Sequence, residues 1–272
     1  MNPSIPAPNV MLLGAVGTGK SYSLRTLVDA GMEVFAIFTE PGFEVLMDVD
    51  PSKFHIHYIP PAAPSFQSLH DSAKKINMMS FSDLSGLKSG LDKQSYGQFL
   101  EVLNTLSHFK CDICGKEFDS VDTFDNTKAV VLDTLSGLNI MSLDLVCGAK
   151  PVKAIGEWGV AMDNEERLIT KLCADTRCMF ILSAHLEPVV DQMIGSTNLK
   201  AMALGNKLAP KLPRFFSDVI HCKRVEDNWV WSTVSANVDL KARNLPYKDN
   251  MPQDFVPLIE TWRNRSFKKA EA

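Results

Sequence analysis

Eight residues near the start of the chain, Gly14-Ala15-Val16-Gly17-Thr18-Gly19-Lys20-Ser21, carry the spacing G-x-x-x-x-G-K-[ST] with every fixed position filled. Each fixed residue has a chemical reason. The glycines let backbone N–H groups turn inward on a β-phosphate, the Lys20 ammonium reaches the β and γ oxygens, and the Ser21 hydroxyl binds magnesium. An apolar run, Val10 to Leu13, ends at Gly14, and helical character follows from Lys20 to Ala30. Strand before and helix after is the setting this loop requires, because the helix N-terminus adds its dipole to the same anion site. Residues 14–22, ending at Tyr22, are the expected nucleotide-binding set, with ATP and magnesium as cofactors.

A phosphate loop of this kind needs a second acid for magnesium at the end of a neighbouring strand. Ala129-Val130-Val131-Leu132-Asp133 supplies four apolar residues and then a carboxylate. Hydrolysis also needs a group that orients or activates water. The residue after Asp133 is Thr134, so no acid stands beside it, and the candidate is Glu40, at the end of the strand that follows the loop helix, in Phe38-Thr39-Glu40-Pro41-Gly42. Glu44 is the substitute, and the plain reading of Glu40 is an acidic loop residue beside a Pro-Gly turn.

A second constellation lies at 109–118, FKCDICGKEF, where Cys111 and Cys114 are two residues apart and Gly115 follows. This resembles the first half of a zinc finger with two cysteines and two histidines. A structural zinc needs four ligands, yet no His or Cys occurs from Gly115 to Leu145. The remaining ligands must then come from His108, His70, His55, His57 or a partner subunit. The alternative is a metal-free hairpin with two free thiols. Cys147, Cys173, Cys178 and Cys222 have no motif spacing and read as small apolar residues, as expected in a reducing compartment.

The elements that must position these groups follow from hydrophobic periodicity. Runs at Val10–Leu13, Val34–Phe38, Phe54–Ile59, Ala129–Leu132 and Met179–Ser183, with helices at about 20–30 and 157–174, describe a mostly parallel α/β sheet flanked by helices. Further strands are expected at Asp218–Cys222, Trp229–Val234 and Val238–Ala242. Residues 1–9 hold three prolines and read as a lead-in. An insertion at about 62–127 is expected to hold helices at 65–80 and 92–108, a Ser/Gly-rich turn at 85–90 and the Cys-bearing hairpin. The whole chain, 1–272, reads as one domain.

Composition is that of an ordinary globular protein, with 45% hydrophobic and 22% charged residues and a net charge of −4. There is thus no global polycation for nucleic acid, but a local excess exists. From Gln192 to Arg224, Lys200, Lys207, Lys211, Arg214, Lys223 and Arg224 face only Asp218, a net +5. Phosphate contacts by such a segment, with Phe215 and Phe216 as stacking candidates, compete with a plain solvated face over buried phenylalanines. No run reaches membrane-span length, and MNPSIPAPNV lacks the pattern of a signal peptide. The expectation is a cytoplasmic protein with no membrane partner.

Taken with VVLDTLSGLN (130–139), KPVKAIGEWGVAMD (150–163), FILSAH (180–185), LGNKLAPKLPRFFSDVI (204–220) and DLKARNLP (239–246), the set resembles the RecA-like ATPase core. More narrowly, it resembles phage nucleotide-binding proteins of the AAA class, including the RecA-like branch of the Sak single-strand annealing proteins. The likeness covers about residues 9–50 and 128–262. It implies that His185 senses the γ-phosphate, that about 187–210 is a mobile second DNA-binding loop carrying Lys200 and Lys207 with Lys211 and Arg214 just beyond, and that Lys241 and Arg243 reach the ATP of a neighbouring subunit in a homo-oligomer. The strand before the phosphate loop begins near residue 10, so neither the N-terminal polymerisation segment nor the C-terminal domain of bacterial RecA is expected. The resemblance therefore does not extend to filament formation, while a smaller ring or a nucleotide-dependent oligomer stays open. The implied activity is ATP-dependent binding and annealing of single-stranded DNA in phage recombination, in host cytoplasm, with a single-strand-binding protein as a further partner. Two other readings share the loop: a nucleotide-gated assembly module with little turnover, and a small-molecule kinase.

Overall fold

The apolar runs Val10–Leu13, Val34–Phe38, Ala129–Leu132 and Met179–Ser183 divide their side chains between two faces, as period-two strands buried on both sides must. The structure, a computed structural model, describes residues 6–87, 96–148, 150–190, 195 and 197–267. Residues 1–5 of the lead-in, 88–90 of the expected turn, 92–95 of the expected second insert helix, and 191–194 and 196 of the expected loop lie outside the described residues.

In chain order, β1 (Asn9–Leu13) is followed by α1 (Lys20–Ser23), α2 (Thr26–Asp29), β2 (Glu33–Phe38) and β3 (Phe54–Tyr58). The insertion holds α3 (Phe66–Asn77), α4 (Phe81–Gly86), α5 (Gln98–Ser107) and the small strands β4 (Phe109–Lys110) and β5 (Glu117–Phe118). Then come β6 (Lys128–Asp133), α6 (Leu135–Cys147), α7 (Ile155–Ala174), β7 (Met179–Ala184), β8 (Leu186–Val190), β9 (Thr197–Ala201) and α8 (Gly205–Leu208). The chain closes with β10 (Asp218–Val225), β11 (Asn228–Ser232), β12 (Met251–Pro252) and α9 (Val256–Phe267).

The main sheet has eight strands in the order β12-β11-β10-β1-β7-β6-β2-β3, parallel from β10 through β3 and antiparallel at β11 and β12. Met11, Leu13, Phe35, Ile37, Val130, Leu132, Phe180 and Leu182 join one core with α5, α6 and α7. Val10, Leu12, Val34, Ala36, Ala129, Val131, Met179 and Ile181 join the other, closed by Leu24, Leu27, Leu258, Ile259 and Trp262. The protein is a mixed α/β fold with a large, mostly parallel sheet flanked by helices. Among the described residues no helix is long and apolar enough to cross a membrane.

Several expectations change. The helix expected at 20–30 is broken into α1 and α2. Ser23 Oγ donates to Lys20 O and Thr26 Oγ1 to Ser23 O, and Leu24, Leu27 and Val28 bond three residues back. Such local side-chain bonds and tighter turns compete with the i→i−4 ladder. Val238–Ala242 forms isolated bridges only, because Arg243 N and Asn244 N both turn onto Asp218 Oδ1, at 2.8 Å each. The segment expected to be a loop from 187 contains an antiparallel pair, β8 with β9. The helices α6 and α9 carried no signal in the reading of the sequence; α6 buries most of its circumference, so its apolar residues show no period.

Candidate functional site

At the carboxyl ends of β1, β2, β6 and β7 four turns converge, the place where open parallel sheets bind ligands. The loop leaving β1 begins under severe restriction. A Cβ on Gly14 would stand 2.5 Å from Cys222 O, and Gly19 adopts φ +82° with Trp229 Cγ only 2.8 Å from where its Cβ would be. Both positions therefore exclude larger residues for reasons of space, and Gly19 for backbone conformation as well.

Inside this loop Lys20 is 5% exposed, with Nζ donating to Gly14 O at 2.9 Å and Ala15 O at 2.8 Å. Burial lowers its pKa, while Cys222, Asp133 and Glu40 act in the opposite direction. Ser21 Oγ donates to Asp133 Oδ2 at 2.6 Å. The two magnesium-ligand candidates, 112 residues apart in sequence, thus meet. Asp133 Oδ1 is buried and has no hydrogen-bond partner of ordinary geometry among the described residues, although the equally unpartnered Ser183 hydroxyl lies near enough to act on the carboxyl. An orphaned carboxylate oxygen beside a serine hydroxyl and a lysine is a donor set that fits a hard divalent cation with a phosphate.

Glu40 and His185 also meet. His185 Nε2 lies 3.2 Å from Glu40 Oε2, and His185 Nδ1 lies 3.5 Å from Lys20 Nζ. A lysine can only donate, so the arrangement assigns Nδ1 as acceptor and Nε2–H as donor to Glu40. This hydrogen bond is the main cause holding the Glu40 carboxyl below its usual range, against the opposing effect of burial. The turn is locked from beneath: Thr39 Oγ1 donates to Thr134 O at 2.8 Å and accepts from Thr134 N at 2.9 Å. Glu44 does not line the cleft of about 300 Å³ formed by the loop, Glu40, Pro41, Gly42, Val45, Asp133, Thr134, His185 and Trp229.

Trp229 is the principal residue that reading the sequence missed. Its indole N–H donates to Gly17 O at 3.1 Å, and its ring lies 4.9 Å from that of Tyr22, over which Arg25 stacks at 3.9 Å. Gln253 Nε2 donates to Thr18 O at 2.8 Å from the far edge of the sheet. Nothing in the sequence flags either residue, since both reach the loop only through β10–β11–β12 pairing. Tyr22 and Trp229, each about two-fifths exposed, present aromatic faces to the mouth of the cleft.

The remaining expected residues are dispersed. Lys241 Nζ donates to Phe216 O at 2.6 Å, and burial lowers its pKa first of all. Lys241 and Arg243 line a separate cavity with Arg214, Arg265, Phe215 and Trp262, away from this chain's own cleft. Phe216 is a core residue, stacked on Phe180 at 5.9 Å between centroids, which removes it as a stacking platform. Phe215 is half-buried beneath Arg214. Lys200 lies on β9 opposite Glu187, and Lys207 is exposed on α8. Lys211 Nζ and Arg214 Nη2 both bind Glu166, at 2.6 and 2.9 Å, while Lys223 pairs with Asp249 and Arg224 with Asp227. The local +5 counted along the sequence is therefore largely offset by acids from other segments.

Burial raises the Asp133 pKa, opposed by the Ser21 hydroxyl and Lys20. A carboxyl whose folded pKa exceeds its unfolded value contributes most stability below the unfolded pKa and loses it as pH rises through the folded one. Asp133→Asn is therefore expected to raise the melting temperature at neutral pH without nucleotide, by about 2–4 °C for each kcal/mol relieved, and to abolish the magnesium-dependent part of any ATP-induced shift. Thermal melts with and without ATP and magnesium check this; an intact magnesium effect would remove Asp133 from the metal site.

No protein-family model matches the chain, and no curated protein matches it. Among solved structures, it is similar to a prototypical ATPase from the type III secretion system of pathogenic bacteria, with TM-score 0.40 and 12% sequence identity over 80% of this chain. The chain spans about half (53%) of that protein's chain.

Proposed function

We propose that this protein is a RecA-like P-loop ATPase that binds magnesium and ATP in the β1/β2/β6/β7 cleft and couples hydrolysis to single-stranded DNA. The observation that carries the ATPase reading is the 2.6 Å contact between Ser21 Oγ and Asp133 Oδ2 beside a loop whose Gly14 and Gly19 leave no room for a Cβ. In this reading the inward-turned loop and Lys20 hold the β and γ oxygens, and Ser21 and Asp133 hold magnesium, which supplies charge neutralisation. Lys20 exchanges its bonds to the Gly14 and Ala15 carbonyls for phosphate oxygens. Glu40, fixed by His185, takes the proton of the attacking water.

The coupling to DNA rests on chain continuity. His185 is the single residue between the end of β7 and the start of β8, and Met202 N, just past β9, donates to His185 O at 2.8 Å. A change at the His185 ring that accompanies a γ-phosphate therefore acts at the root of the β8–β9 pair and on the Lys200–Arg214 segment beyond it. A ligand shifts such an equilibrium only through differential contact, and His185 is the group that makes it. Lys241 and Arg243, remote from their own cleft, are proposed to serve a neighbouring subunit.

Fluorescence anisotropy with a labelled oligonucleotide, in ATP analogue, ADP and no nucleotide, tests the reading. Tighter binding with the ATP analogue is expected, and His185→Ala should retain nucleotide affinity and lose that increment. Glu166→Gln should strengthen DNA binding by freeing Lys211 and Arg214, whereas replacing Lys207, Lys211 and Arg214 together with Ala should reduce the salt slope by about 2. Binding that is identical in all three nucleotide states sinks the coupling. Absence of binding at low salt favours the second reading, a nucleotide-gated assembly module, which the Glu166 ion pairs support because they occupy two of the four expected phosphate contacts.

A further inference from the structure

Where the insertion meets β3 at the edge of the main sheet, a histidine and both cysteines of the CxxC motif come together. His55 on β3, Cys111 and Cys114 place one ligand atom each within 4.8 Å of one another. His55 Nδ1 stands 3.7 Å from Cys114 Sγ. A tetrahedral zinc with Zn–S of about 2.3 Å and Zn–N of about 2.0 Å has an N-to-S edge of about 3.5 Å, close to the observed separation. All six cysteines are free thiols, and no disulfide links Cys111 to Cys114.

Three further features belong to a metal site. The turn has the form of a knuckle: Cys114 N donates to Cys111 Sγ at 3.4 Å, Gly115 N to Cys111 O at 3.0 Å, and Gly115 adopts φ +68°. His55 is oriented from behind, with Nε2 3.3 Å from Glu33 Oε1 and its ring packed against both Phe35 and Phe118, at 4.9 and 4.5 Å. A carboxylate on the far nitrogen is the usual outer partner of a metal-bound histidine, because it fixes the tautomer and leaves the near nitrogen's lone pair for the metal. The turn is also fastened to the sheet: Asp112 N donates to Ile56 O at 2.7 Å, and Tyr58 N to Asp112 Oδ2 at 2.7 Å.

We infer that His55 Nδ1, Cys111 Sγ and Cys114 Sγ bind one zinc ion, with Glu33 as the positioning residue behind His55 and water as the fourth ligand on the exposed Cys114 side. Binding releases the thiol protons of Cys111 and Cys114 to solvent and joins two thiolates with a neutral imidazole. The consequence is structural. β3 is the edge of the eight-stranded sheet, and β4 and β5, two residues each, are too short to hold a cover over that edge by themselves. A metal bridging β3 to the knuckle makes the cover part of the sheet.

The test uses the full chain, purified without chelator. Elemental analysis is expected to give about one zinc per chain, and X-ray absorption at the zinc edge two sulfur and two nitrogen or oxygen neighbours. Cys114, exposed and otherwise reactive, should be slow toward a thiol reagent until a chelator is added. Glu33→Gln, which leaves all three ligands in place, should weaken zinc affinity by about 10–100-fold, and this variant keeps the test decisive if Cys111→Ser does not fold. Less than a tenth of a zinc per chain after incubation with excess zinc overturns the inference, as do four sulfur neighbours or Cys114 reactivity indifferent to chelator.

Discussion

Lys20→Ala is expected to abolish tight ATP binding while leaving the fold intact. The Lys20 amine is almost fully buried and, among the described residues, bonds to the Gly14 and Ala15 carbonyls and, at longer range, the His185 ring. In the bound state it would face the β and γ oxygens at the same depth. Truncating one member of a buried, hydrogen-bonded charge pair costs about 2–5 kcal/mol, or roughly 30- to 5,000-fold in affinity. The free protein should behave oppositely. Burial lowers the Lys20 pKa, so the unfolded chain holds this proton more tightly, and the charged lysine opposes folding at pH values below its folded pKa. The variant should therefore melt no lower than the parent without nucleotide, and lose the upward shift that ATP produces. Isothermal calorimetry with melting curves reads both; parental ATP affinity in Lys20→Ala would dismiss the phosphate-loop assignment.

Glu40→Gln should separate binding from turnover. The amide oxygen can still accept the His185 Nε2–H bond, so the turn keeps its shape, but no group remains to take a proton from water. Loss of a general base typically slows a reaction about 10²–10⁴-fold, and ATP affinity should stay within a few-fold of the parent. The pH profile gives a second readout. The His185 hydrogen bond holds the Glu40 carboxyl below its ordinary range, so the base remains ionised as pH falls through the usual carboxylate value of about 4.3. Whatever stability this bond contributes is likewise present above the unfolded pKa and lost only as pH falls through the depressed folded one. Phosphate release measured from neutral to acidic pH, alongside melting curves that mark where the fold itself fails, checks both parts. A Glu40→Gln protein that hydrolyses ATP at the parental rate would assign water activation elsewhere.

The sequence by itself determined the glycine-rich loop and most of the sheet, because both are local. A glycine-rich turn, a short strand with both faces apolar and a carboxylate at a strand end are each written in fewer than ten consecutive residues. Val10–Leu13, Val34–Phe38, Ala129–Asp133 and Met179–Ser183 were legible in this way, and with them Lys20 and Ser21 at the helix start and Glu40, Asp133 and His185 at or just past strand ends. Their meeting in one cleft follows from parallel order, which places every strand's carboxyl end on the same edge.

Only the tertiary structure decided what depends on partners distant in sequence. α6 is buried on too many sides to show a helical period. Trp229 and Gln253 reach the loop from β11 and the segment after β12, across strand pairings no local pattern encodes. The basic segment gave a net +5 when counted along the chain, but Glu166 on α7 lies 45 and 48 residues from Lys211 and Arg214, so only folding could reveal the ion pairs. Likewise His55, one of five histidine or partner-subunit options in the sequence, was singled out by the register of β3 against the knuckle. Charge compensation and ligand choice are set by distances in space, and a linear count contains only distances along the chain.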